Sequence, residues 1–360
     1  MKRLLLLATG LLVGLAPAVP LKLGSATPEL KGMQVQNLSF APGEQVRLVH
    51  EATDRARRTW LHVVDVRDGA PAGQLVPGAR SARVEALGGA KDRSDGAVTW
   101  WDNGGFFFVR ALSGVVTLQY FDGMLRDAGE GPGRPLSVLP MAGPRLLAVL
   151  EDSGGPDLFS VDGSMLAASA RRLTRTRDEV EHSLVALPDG RAAFLAASRE
   201  ETRLLVLTGE SLYAVRLGAS WELLSLAAAP GGLVAWARRP GAESASLLFV
   251  DPDTNRSRVL LEGGFLPPGL APRPAVDPAG AVYAVRADVE AGNPVVRVPL
   301  DGGEPQVVAL PTRGHQEVAF ARYPHRADGA PWIAVVAVGG AADDVANHVW
   351  LGPLASGSAP

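Results

Sequence analysis

The chain has 360 residues, 47% apolar and 20% charged, with 41 Gly, 28 Pro, no Cys and a formal charge of −3. That length and apolar content supply a packed core, which excludes a disordered or collagen-like chain. The absence of cysteine excludes disulfides, thiol chemistry and a lipid-modified N-terminal Cys, and the mild acidity argues against nucleic acid as a partner, which a basic stripe would mark.

The first element is a leader. Lys2 and Arg3 precede the apolar run LLLLATGLLVGL at 4–15, and Ala16, Pro17 and Ala18 place small residues where a signal peptidase cuts. An uncleaved anchor needs about twenty apolar residues, and this run meets Pro17 first. The expectation is a signal peptide at 1–18, one domain at 19–360, a periplasmic or secreted location and no membrane span after cleavage. Loss of Lys2 and Arg3 leaves 33 basic against 38 acidic residues.

Beyond residue 30, apolar runs of five to eight residues alternate with Gly, Pro, Asp and Asn clusters, the pattern of an all-β chain with tight turns. The pattern repeats. In chain order it reads LSFAPGEQVRLV, VTWWDNGGFFFV, SVLPMAGPRLLAVL, LVALPDGRAAFLA, LSLAAAPGGLVAWA, PAVDPAGAVYAV and, more loosely, VAFARYPHRADGAPWIAVV. The turn glycines are Gly43, Gly104, Gly143, Gly190, Gly231, Gly280 and Gly329, separated by 61, 39, 47, 41, 49 and 49 residues. All but the first spacing match a four-stranded propeller blade.

A second marker keeps phase with the first. Apolar strands end on Asp65, Asp122, Asp162, Asp251 and Asp301, which lie 22, 18, 19, 20 and 21 residues after the preceding turn glycine. Each unit then reads as four short strands, as in LLSLAAA, LVAWARR, SASLLFV and RSRVLLE. Sheets this small are stable only when stacked, and closing the stack into a ring removes its exposed ends. The last unit lacks a fourth strand, and PLKLGS at 20–25 is a spare one that can pair with it and tie the ends together. The long first spacing implies an insertion around 82–95. The expected fold is an all-β propeller of seven blades, with six as the alternative, closed by an N-terminal strand.

Residues 157–194 carry a family spelling: LFSVD at 158–162, RRLT at 171–174 and LPDGRAAF at 187–194. This resembles the repeat of TolB-type (PD40, WD40-like) propellers, in which a strand ending in Asp is followed by an Arg-Leu-Thr strand, a polar loop and a Pro-Asp-Gly hairpin. The match is partial around 224–262 and 274–310 and weak elsewhere. The resemblance implies a propeller of exported bacterial type. TolB also carries an α/β domain before its propeller, and here the first unit follows the leader closely, so membership of the Tol-Pal system is not implied.

Asp251, Asp253, Asn255, Ser257 and Glu262 stand at positions 1, 3, 5, 7 and 12 of an EF-hand count. Arg256, however, replaces the Gly of the sharp turn, which favours an Asx-rich hairpin. The nearest nucleophile motif, Gly218 to Glu222 around Ser220, ends in Glu instead of Gly, and a hydrolase domain like that of prolyl oligopeptidases has no room. The six histidines, 50, 62, 182, 315, 325 and 348, lack zinc-ligand spacing, and His62 and His348 read as structural. No metal, cofactor or catalytic residue is assigned.

His182 and His315 each open an innermost strand, beside Glu181 and Glu317. They form the candidate binding site, where inner strands converge on the channel mouth. Trp100, Trp101, Asp102, Asn103 and Phe106 to Phe108 read as core between blades, with a sugar platform as the rival. The leading function is a non-enzymatic, monomeric binding protein whose loops engage another envelope or extracellular protein. The runner-up is a propeller enzyme, a lyase, lactonase or glycan hydrolase.

Overall fold

The computed structural model describes residues 24–25, 34–42, 45–53, 59–67, 70–75, 98–101, 104–112, 115–129, 131–162, 169–176, 178–217, 221–264, 273–310, 312–321, 331–338 and 347–354. The leader, the insertion at 82–95, Gly43, Gly329, His325, Ser220 and the Asp102, Asn103 pair lie outside the described residues.

The described strands form seven four-stranded antiparallel sheets. Blades 1 to 7 begin with Gln34–Phe40, Val98–Trp100, Arg134–Pro140, Val180–Ala186, Glu222–Ala229, Ala275–Asp277 and His315–Ala321. These first strands neighbour one another in an unbroken circle, blade 7 against blade 1 included, so they line the axis. In blades 1 to 6 the four strands run outward in chain order. In blade 7 the outermost strand is Gly24–Ser25, paired through Gly24 with Leu351 and through Ser25 with Trp350. The all-β, seven-bladed ring closed by an N-terminal strand is therefore the fold.

Continuous apolar runs exist because second strands are covered on both faces. In Ala192–Ala197 every residue is buried. Ala192, Phe194 and Ala196 join a cluster with Leu139, Leu147 and Val149 of blade 3, while Ala193 and Leu195 join one with Leu223, Leu233 and Ala235 of blade 5. Each seam of the ring holds one such cluster. Burying Phe194 or Leu195 contributes about 1.5–3 kcal/mol.

The Pro-Asp-Gly turn is a hairpin. The Leu187 N–H donates to the Arg191 carbonyl at 2.8 Å and the Gly190 N–H to Leu187 at 3.0 Å. Gly190 takes a φ of 84° and Gly231 one of 74°, the left-handed region that glycine enters without penalty. Five turn acids share one chemistry, while Asp65 accepts from Arg47 Nε across its hairpin at 2.7 Å. Asp122, Asp189, Asp251, Asp277 and Asp301 each accept the backbone N–H two residues on, at 2.8–3.2 Å, an Asx turn that presets the chain reversal.

Deleting residues 19–26 leaves the Asn347–Pro353 strand as an open edge. A loss of about 2 kcal/mol, a fall of about 3 °C in thermal midpoint, is expected by calorimetry; an unchanged midpoint would show that the ring closes without that strand.

Candidate functional site at the inner-strand ends

Five inner strands break register near their first residues. One residue is skipped at Leu136, Leu224 and Gln316, and two are skipped at Asn37–Leu38 and Ser183–Leu184. In the two-residue bulges, Asn37 (φ 58°) and Ser183 (φ 55°) are left-handed. Such a bulge re-aims the side chains before it and turns the strand edge toward the axis.

The register of each inner strand on its second strand decides where the four candidate residues point. Residues directly opposite in a ladder share a face. Glu181 lies opposite Ala196, on the side facing blade 3, and His182 opposite Leu195, on the side facing blade 5. His315 lies opposite Ala337 and donates into blade 6, while Glu317 lies opposite Val336 and faces blade 1. His182 and His315 open the similar spellings HSLVAL and HQEVAF, yet the two strands are set with opposite faces: Val185 packs toward blade 5 and Val318 toward blade 6, and each bulge adds one net residue, so the histidines keep that difference. The four residues occupy the same end of the inner strands and enter four different seams.

Glu317 closes the ring at its inner edge. Its carboxylate accepts the Asn37 N–H at 2.8 Å and the Leu38 N–H at 2.7 Å. Beside it, Glu51 accepts from Gln36 Nε2 at 3.0 Å and Asn37 Nδ2 at 2.8 Å. Burial pushes Glu317 up to about 7 against the pull of the two N–H groups, and the nearby Glu51 charge adds to the rise. Glu181 is likewise pushed up to about 7 by burial, and the Thr176 hydroxyl donates to it at 2.7 Å. Its neighbour Asp157 accepts from the Thr176 N–H at 2.8 Å and the Thr174 hydroxyl at 3.1 Å.

His315 is held at both ring nitrogens. Nδ1–H donates to the Asn293 carbonyl at 2.9 Å, so Nε2 accepts from the Thr312 hydroxyl, also at 2.9 Å. Burial lowers its pKa, which keeps the ring neutral. His182 is buried, with Nδ1 3.2 Å from the Ser183 hydroxyl.

Other motifs become structural. Asp251 turns its carboxylate on Asp253 and Thr254, and Arg256 opens the outer strand Arg256–Gly264, so the EF-hand count runs through a hairpin. Trp100 packs edge-on against Phe106 at 5.0 Å and donates to Ser39 at 3.0 Å, within the seam between blades 1 and 2. Among the described residues, no group of three or more His, Cys, Asp or Glu is placed to hold a metal.

Two clusters escaped sequence reasoning. His50 and His62 lie opposite in adjacent strands with rings stacked 5.0 Å apart; burial, reinforced by His62, lowers His50 to about 3. Their central placing in LVHEA and WLHVV on a hairpin was the available signal. Arg191 bridges Asp189 of its own turn, Tyr213 and, at 2.6 Å, Asp253 of blade 5, a contact between turns that no local pattern announces.

No protein-family model matches the chain, and no curated protein matches it in sequence. Solved structures are similar in fold at low identity. A puromycin hydrolase aligns with a TM-score of 0.63 and 18% identity over 88% of this chain and 51% of its own, so the chain spans about half that enzyme's length. An oligogalacturonate lyase in complex with manganese gives 0.57 and 13% over 94% and 97%. YCF48 from Cyanidioschyzon merolae gives 0.56 and 12% over 92% and 98%. A structure of YCF48 bound to D1 peptide gives 0.50 and 13% over 92% and 99%. At these identities the likeness shows the fold, a β-propeller that enzymes and non-enzymes share.

The buried groups set a pH dependence. Glu181 and Glu317 bind protons more tightly folded than their ordinary 4.5, so their contribution is full below pH 4.5 and is lost as pH rises through about 7. His50, His62 and His315 are lowered, so theirs is full above 6.5 and lost as pH falls. From pH 6.5 to about 8 the carboxyls dominate, and urea midpoints should fall by about 1–2 kcal/mol of stability. The Glu181→Gln, Glu317→Gln double variant should be flat there; an equal fall would assign the trend elsewhere.

Proposed function

We propose that the protein is an exported, non-enzymatic binding or scaffold propeller of TolB-like type that engages another protein of the cell envelope or exterior through its loops. The observation that carries this reading is the fate of the polar side chains at the inner-strand ends. Glu317 is spent on two backbone N–H groups and His315 on Asn293 and Thr312, while Glu181 gives one of its two oxygens to Thr176. They act as fastenings between blades, which leaves recognition to the turns that a rigid ring presents. YCF48, whose structure has been seen with a bound peptide, supplies a precedent of similar chain length. Export follows from the leader, and no helix among the described residues is long and apolar enough to cross a membrane.

One observation favours the enzyme reading. A carboxyl pushed up to about 7, as Glu181 is, holds a proton at working pH and is fit for general acid chemistry.

The test is affinity capture from an envelope fraction with the mature chain, whose N-terminus is expected at Val19. Exposed residues on opposite faces of the ring then locate the contact: Met124→Glu lies on the turn after the third strand of blade 2, and Val289→Glu in the loop between the second and third strands of blade 6. One reproducible protein partner lost in one of these variants is the expected result. No partner, with stabilisation by a sugar or metal, would favour the enzyme.

A further inference from the structure

The blade 7 to blade 1 seam and the blade 3 to blade 4 seam are built on the same backbone plan. Blades 1 and 4 both skip two residues, with the first left-handed (Asn37 at 58°, Ser183 at 55°). The second, Leu38 or Leu184, packs back toward the preceding blade in both. The preceding blades match as well. Each skips one residue, and the next is Glu317, opposite Val336, in blade 7 and Ser137, opposite Val149, in blade 3. Val336 and Val149 both belong to the core of the seam in question.

The side chains then diverge. At the first seam the Glu317 carboxylate fills the cradle and accepts the Asn37 and Leu38 N–H groups. At the second seam Ser137 stands in its place, 9% exposed, and its buried hydroxyl has no hydrogen-bond partner. Glu181, 1% exposed and facing the same seam, keeps Oε2 buried and without a well-formed hydrogen bond, the nearby Thr174 hydroxyl being given to Asp157. Orphaned buried polar atoms are rare and costly, and two in one seam call for a ligand.

We propose that the seam between blades 3 and 4 is a binding site for a carboxylate, recognised by the Ser137 hydroxyl, the Leu184 N–H and the Glu181 carboxyl at the position that Glu317 fills in its twin. The donor set fixes the ligand class. The hydroxyl and the N–H donate, and Glu181 below pH 7 keeps the proton that lets its carboxyl donate too. Asp157, already held by Thr174, Thr176 and the Arg172 guanidinium, is the nearest negative charge. It tolerates a singly charged ligand better than a doubly charged phosphate or sulfate. The site goes beyond the partner-binding reading and does not depend on it.

The probe is acetate at about pH 6, added to the full chain. Its binding should be saturable and raise the thermal midpoint, and isotope-filtered NOEs should run from 13C-acetate to the Leu184 methyls. Ser137→Ala should bind about tenfold more weakly, and Ser137→Glu, which installs the twin's carboxylate, should abolish the response. If Ser137→Glu does not fold, the alanine variant and the NOEs decide. An N-acetylglycylglycine arm separates the sources: tighter binding than acetate identifies a chain terminus, weaker binding a free small acid, and either supports the site. No saturable acetate effect, an equal effect from sulfate, or an undiminished response in Ser137→Ala would overturn it.

Discussion

Each blade of this protein has two apolar faces, and neither can be covered from within the blade. Second strands such as Ala192–Ala197 send alternate side chains into the seams on either side, so every sheet depends on both neighbours. A linear stack would leave two faces wet; a ring leaves none. The covering of all seven therefore hangs on one junction, where blade 7 meets blade 1. That junction is fastened three times: at the rim by Gly24–Ser25, in the middle by the cluster around Leu48 and Val336, and at the axis by Glu317.

The fastening at the axis explains why carboxylates are tolerated in the interior. A buried charge is costly unless hydrogen bonds replace its water. The inner edges of first strands have no further strand to pair with, so a bulge there leaves N–H groups that need an acceptor. Glu317 and the Asn37 bulge solve each other's problem. The same economy governs His315 with Asn293 and Glu181 with Thr176: polar groups at the inner-strand ends join one blade to the next.

Repetition also makes the molecule its own control. Blades that share a bulge and a register can be compared position by position, and a side chain that breaks the pattern stands out. Ser137 against Glu317 is such a break, visible only because the backbones around the two residues agree. The TolB-type spelling has a related geometry: 157–194 covers the outer half of blade 3 and the inner half of blade 4, so it spells a junction between blades.

Much of the fold was legible because its causes are local. Turn glycines such as Gly190 and Gly231 need a left-handed backbone, Asx turns need Asp, and strands covered on both faces need unbroken apolar runs. All recur at the length of a blade, which made the repeat legible, left seven blades against six, and pointed to the closing strand of which Gly24–Ser25 are described. The candidate site was legible only as a set of positions. The sequence placed His182, His315, Glu181 and Glu317 at the entries of inner strands, and they are there. Which seam each one enters depends on the register with which its strand docks on the second strand, and the similar spellings HSLVAL and HQEVAF carry no mark of that. Register is settled by how a whole strand docks between two neighbours, so it belongs to the tertiary structure, as do the stacking of His50 on His62 and the pairing of Glu317 with residues 279 and 280 positions earlier.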